Sequence, residues 1–78
     1  MKKTTIQLMS INDVKEFVNL AGAQMFDVDI VSGRYVIDAK SIMGIFSLDL
    51  SHPLEVHIHA EDAACEAFLA KLEKYRAE

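Results

Sequence analysis

The chain has 78 residues, a net charge of −4, a single cysteine and a half-hydrophobic, quarter-charged composition. That length provides for one domain, spanning residues 1–78, and the composition is that of a folded chain rather than a disordered one. The acidic balance and the scattering of the eight basic residues argue against nucleic-acid or membrane-surface partners.

A lone Cys65 leaves no internal disulfide to form, which suits a reducing compartment. The N-terminal Met1, Lys2, Lys3, Thr4 and Thr5 lack the apolar core of a signal peptide, and no run nears the ~20 apolar residues of a membrane span. The expected setting is the cytosol.

Residues 4–9 alternate and predict a strand with Ile6 and Leu8 inward. Ser10 and Asn12 are candidate helix caps, with Asp13 and Glu16 placed for the positive end of the helix dipole. Val14, Phe17, Val18, Ala21 and Met25 fall at i, i+3, i+4, i+7 and i+11, the apolar face of a helix. Gly22 weakens that helix by about 1 kcal/mol relative to Ala and is read as a place for close approach to the sheet. Residues 26–31 alternate again, with Val28 and Ile30 inward. Ser32-Gly33 is a two-residue hairpin signal, and residues 34–38 form the partner strand with Tyr35 and Ile37 inward.

Ser41 then stands where a short helix begins, followed by Ile42, Met43, Gly44, Ile45 and Phe46. A helix this short cannot hide four large apolar groups on one side. Ile42, Ile45 and Phe46 share one sector and Met43 lies in another, so part of this set is expected at the surface as an interaction patch. Residues 49–53 break the helix. Leu54, Val56, Ile58 and Ala60 alternate with Glu55, His57 and His59, a strand with one polar face, as in an antiparallel sheet covered on one side. Asp62 is a candidate cap for a last helix whose apolar stripe is Cys65, Phe68, Leu69, Leu72 and Tyr75. The order is β-α-β-β-α-β-α, an α+β fold with two longer helices and one short one on one face of a four-stranded antiparallel sheet.

Ser41 is read first as an N-cap, and second as a phosphorylation site, because charge added at a helix N-terminus beside an apolar patch would alter partner choice. His57 and His59 share a strand face with Glu55, and Asp27 or Asp29 could add a ligand, which makes a weak metal site the competing reading to a solvated strand face. His52, before Pro53, reads as a turn residue. Cys65 lies on a buried stripe and reads as core. No glycine-rich phosphate loop, nucleophile elbow or zinc-type Cys/His set is present, and no cofactor is implied.

The segment Ala39-Lys40-Ser41-Ile42-Met43-Gly44-Ile45-Phe46-Ser47-Leu48 resembles the Lys-Ser-Ile-Met-Gly-x-x-Ser-Leu signature of HPr, the histidine-containing phosphocarrier of the bacterial sugar phosphotransferase system. The likeness runs from about Phe26 to the C-terminus, with only the pattern of elements matching before it. The resemblance implies an open-faced β-sandwich. It places Ser41 where HPr kinase phosphorylates related proteins. It also places Phe17, Ile42, Met43 and Phe46 in the region that meets phosphotransferase components and transcriptional regulators. The family's phosphoryl-accepting histidine lies at the start of the first helix within Gly-x-His-Ala-Arg-Pro. Here that segment is Ser10-Ile11-Asn12-Asp13-Val14-Lys15, with Asn12 aligned to the histidine, Val14 to the arginine and Lys15 to the proline. An amide does not accept a phosphoryl group, and Asp13 would repel one. The expectation is a binding or regulatory protein without carrier activity. The alternatives are phosphoryl transfer on His52 or His57, and metal binding at His57 and His59.

Overall fold

The computed structural model describes residues 1–77. Strand β1 (Lys2–Ile6) is followed by helix α1 (Ile11–Gly22), the hairpin β2 (Asp27–Ser32) and β3 (Tyr35–Asp38), short helix α2 (Ile42–Phe46), β4 (Leu54–His59) and α3 (Asp62–Lys71), with a 3₁₀ turn at Glu73–Tyr75. The sheet runs β1-β4-β2-β3 and every neighbouring pair is antiparallel. The expected element order, sheet and one-sided helical layer are therefore observed.

Burial follows the alternation of the strands. Ile6, Val28, Ile30, Leu54, Val56 and Ile58 carry the sheet's side of the core. Val14, Phe17 and Ala21 come down from α1, Ile45 from α2, and Cys65, Phe68, Leu72 and Tyr75 from α3 and the turn after it. Phe26 meets Phe68 edge-on, with ring centroids 5.8 Å apart. The opposite face is open and polar. One ladder row across it reads Lys3, His57, Asp29 and Asp38 in register.

Five local expectations are corrected. Met25 is fully exposed, because α1 ends at Gly22 and the Gln24 N–H closes back on the Ala21 carbonyl at 3.1 Å, so the i+11 position lies past the helix. Gly22 faces open space, with nothing near a Cβ placed there, and mediates no close approach. The hairpin loop is Gly33-Arg34, since Ser32 pairs with Tyr35; only Gly33 has positive φ (58°), as a type II′ turn requires. Tyr35 shares the helix-side face with Ile37 yet is 66% exposed, because the hairpin end of an edge strand extends beyond the helical layer. Likewise Asp62 is the first residue of α3 rather than its cap; Glu61 holds the cap position without a side-chain bond.

The C-terminal turn is locked to α1. The Tyr75 hydroxyl donates to Glu16 Oε1 at 2.5 Å, and Lys74 pairs with the same carboxylate. Burial holds the Tyr75 phenol above its ordinary range, with the Asp13 charge adding to the shift. A folded-state pKa above the unfolded value of ~10 means that the folded state holds its proton more tightly. This contribution to stability is complete below that pH and is lost as pH rises through the folded value. Denaturant melts on either side of pH ~10 are expected to show a loss at high pH that Tyr75→Phe reduces.

Candidate functional site

Helix α1 starts with a reciprocal capping arrangement. Ser10 is the N-cap; its Oγ accepts from Asp13 N–H at 3.1 Å, and Asp13 Oδ2 accepts from Met9 N–H at 2.9 Å. The residue at the helix entrance is thus Ser10, while Asn12 is an exposed second helical residue. Of the two candidate caps, the structure uses Ser10.

Helix α2 starts the same way. Ser41 is the N-cap and its Oγ accepts from Gly44 N–H at 3.2 Å. The backbone is fixed further by Asp38, whose Oδ1 accepts from Lys40 N–H at 2.9 Å and whose carbonyl accepts from Ser41 N–H at 2.9 Å. Lys40 Nζ reaches across to the Gln24 carbonyl at 3.2 Å, tying this linker to the end of α1. Ser41 itself is exposed.

The apolar residues of α2 divide as a five-residue helix must. Ile45 is completely buried and Ile42 packs partly against the core, whereas Met43 is 77% and Phe46 39% exposed. Phe46 borders an open groove of about 600 Å³ lined by Gln7, Leu8, Met9, Ser10, Ile11, Phe46, Leu50 and Ser51. Helices α1 and α2 pack together, which brings this groove and the exposed side of α2 into one region. The groove lining contains no histidine, lysine or arginine, and the Asp13 carboxylate stands at the start of the adjoining helix.

Phe17 does not join this surface. Its side chain is fully buried, because it lies on the same face of α1 as Val14 and Ala21 and points into the sheet. It is a core residue, and the partner-contact role implied for it by the resemblance is corrected. Met9 and Ile11, 80% and 63% exposed, take its place at the surface. Their positions immediately before and after the Ser10 cap were the available sequence signal. Neither belongs to the apolar face of α1, and Met9, being so exposed, is not folded down as a hydrophobic staple.

The histidines lie elsewhere. His57 pairs with Glu55 on the open face of the sheet, and His59 Nε2 lies 2.8 Å from Asp29 Oδ2. The two imidazoles thus contact different carboxylates, and among the described residues no group of three or more His, Cys, Asp or Glu side chains is arranged to hold a metal. His52 is an exposed turn residue 3.3 Å from Asp49. Cys65 is buried and unpaired, its thiol directed at the Ala60 carbonyl (3.3 Å). No helix among the described residues is long and apolar enough to cross a membrane.

Comparison with known proteins places this architecture. The family model described as "PTS HPr component phosphorylation site" matches residues 7–78. No protein in the curated set matches by sequence. Among solved structures, the chain is similar to HPr-C-His from Thermoanaerobacter tengcongensis, with 25% identity and a TM-score of 0.75 over 95% of this chain and 93% of that one. It is also similar to the phosphocarrier protein HPr from Bacillus anthracis str. Ames, with 25% identity and a TM-score of 0.71 over 97% and 96% of the two chains. A sheet ordered β1-β4-β2-β3 under three helices, and a family match covering all but the first six residues, lead to one assignment: the chain belongs to the HPr family of the phosphotransferase system.

Proposed function

We propose that this HPr-family protein is a binding or regulatory module that docks proteins through the surface around Ser41 and does not relay a phosphoryl group. The observation that carries this reading is the character of the α1 entrance. A phosphoryl acceptor there needs an imidazole and cationic neighbours, whereas the groove is lined by apolar and neutral polar groups with Asp13 alongside. Asn12 and Ser10 occupy the start of the helix. His52 and His57 each sit beside a carboxylate and outside that lining, so neither has the setting of a carrier.

The exposed apolar groups Met9, Ile11, Met43 and Phe46 supply what docking requires: polarizable, adaptable side chains already outside the core. Ser41 stands at the edge of the same region with its side chain accessible. Phosphorylation would add almost two negative charges beside the patch, and the domain would keep its core because Ser41 contributes nothing to it. Partners that meet the apolar surface would then be discriminated by charge. By family membership these are phosphotransferase components, HPr kinase or a transcriptional regulator.

Two assays test the proposal. Incubation with phosphoenolpyruvate and the first enzyme of the system is expected to leave the protein unlabelled; an acid-labile phosphohistidine product would overturn the non-carrier reading. Incubation with HPr kinase and ATP is expected to label the wild type and leave Ser41→Ala unlabelled. Equal labelling of both, or of neither, removes Ser41 as the switch.

A further inference from the structure

The two edges of the sheet are treated differently. Along β1, the chain after α3 folds back to cover the strand: Ile6 bridges to Arg76, the Gln7 N–H donates to the Tyr75 carbonyl at 2.7 Å, and the Ala77 N–H donates to the Thr5 carbonyl at 2.9 Å. Lys2 and Lys3 mark the remainder of that edge. Such cover and charge are the usual protection of an exposed strand. Strand β3, the other edge, has no strand beyond it among the described residues and carries Tyr35 and Val36, 66% and 64% exposed.

The ladder identifies which of its backbone groups are free. With a two-residue loop, Ser32 and Tyr35 form the hydrogen-bonded pair that closes the hairpin, and pairs alternate from there. Tyr35 and Ile37 therefore direct their N–H and C=O groups toward β2, and Val36 directs both outward. A second β3 strand brought alongside antiparallel, with Val36 opposite Val36, would exchange two hydrogen bonds at the centre of a two-fold axis. The same register sets Tyr35 opposite Ile37 of the second copy, and Arg34 opposite Asp38.

That last pairing matches the charges. Arg34 makes no ion pair among the described residues. Asp38 stands in register with Asp29 on the sheet's open face, with Asp27 close by around the same hollow. An incoming guanidinium would meet carboxylates on both sides of the symmetric contact. We propose that β3 is a self-complementary edge through which two copies of this chain pair antiparallel, centred on Val36, to form a continuous eight-stranded sheet. The helices lie off to one side of the sheet, so the groove at the α1 entrance stays open in both copies.

Four strand residues per copy make a small contact, well below the ~1,200 Å² of a standard stable interface, so the dimer is a weak one that forms with rising concentration. Sedimentation of the full chain from micromolar to millimolar concentration is expected to show the mass moving from one copy toward two. Val36→Pro removes an outward N–H while leaving the β2 ladder intact and is expected to hold the chain monomeric. A charge exchange provides an independent test. Arg34→Asp makes both ends of the edge acidic and Asp38→Arg makes both basic, so each variant alone is expected to self-associate about tenfold more weakly. Mixed together, the two variants regain both opposite-charge pairs and are expected to form a one-to-one dimer. A wild type that stays monomeric at millimolar concentration overturns the proposal. So does a dimer indifferent to Val36→Pro, or a mixture that associates no better than either variant alone.

Discussion

Phe17→Ala is expected to leave little folded protein. The side chain is completely buried between α1 and the sheet, in a core shared with Val14 and Ala21 of its own helix. Truncating a buried Phe costs about 3–5 kcal/mol, the sum of lost transfer free energy and the cavity that remains. A domain of this size has a total stability toward the low end of ~5–15 kcal/mol, so the loss is comparable with the whole. Urea denaturation followed by far-UV circular dichroism reads this directly. The result also separates two roles. A partner-contact residue would lose binding and keep its midpoint; Phe17 is expected to lose its midpoint. Phe46→Ala supplies the contrast, because Phe46 is 39% exposed on the groove wall: a much smaller shift in midpoint with weakened partner binding is expected.

Gly44→Ala is expected to destabilise the protein, against the ordinary preference of helices for alanine. A Cβ at Gly44 would stand 2.6 Å from Ile37 Cγ2 and 3.1 Å from Ser41 Oγ. The first is a clash with a branched side chain held in the sheet, not with the free end of a flexible one. Overpacking of this kind costs about 1–3 kcal/mol, against a propensity gain of roughly 1 kcal/mol. The second contact presses on the oxygen that accepts from Gly44 N–H, so part of the Ser41 cap is lost as well. Gly22→Ala is the control: nothing lies near its Cβ, the position ends a helix, and a gain of about 0.5–1 kcal/mol is expected. The same substitution is thus predicted to have opposite signs at two positions, and paired denaturation curves with unchanged slope would show it. The outcome also gives a physical reason for a glycine inside the apolar run that follows Ser41: α2 lies too close to β3 for any side chain there.

These two predictions bear on the proposed docking surface from different directions. Gly44 lets α2 sit down on Ile37, and that placement sends Ile45 inward and leaves Met43 and Phe46 at the surface. Phe17 holds α1 to the sheet and so positions the Ser10 entrance beside Phe46 and Leu50. The candidate site is therefore a product of the core beneath it, and substitutions that shift that core reach the site indirectly.

Much of the architecture was legible because its signals are local. The alternation in β4, Leu54, Val56 and Ile58 against Glu55, His57 and His59, has a period of two that only a one-sided strand satisfies. The i, i+3, i+7 spacing of Val14, Phe17 and Ala21 marked the buried face of α1 correctly. For Phe17 that periodicity proved a better guide than the role carried over from the family resemblance. Ser10 and Ser41 cap as serines before apolar runs are expected to. The errors arose where a local pattern was extended past the element that supported it, as with Met25 beyond α1 and Tyr35 beyond the helical cover.

By itself the sequence determined the order of elements, the inward side of each central strand, the buried face of α1, the Ser41 cap and the family signature, since each depends on residues within one or two turns of chain. Only the tertiary structure decided that Ser10 rather than Asn12 caps α1, that Met9 and Ile11 join Phe46 along one groove, and that β1 is covered while β3 is bare. The physical reason is that exposure belongs to a surface and not to a residue: whether an apolar side chain meets water depends on which other segment, far away in the chain, has packed over it.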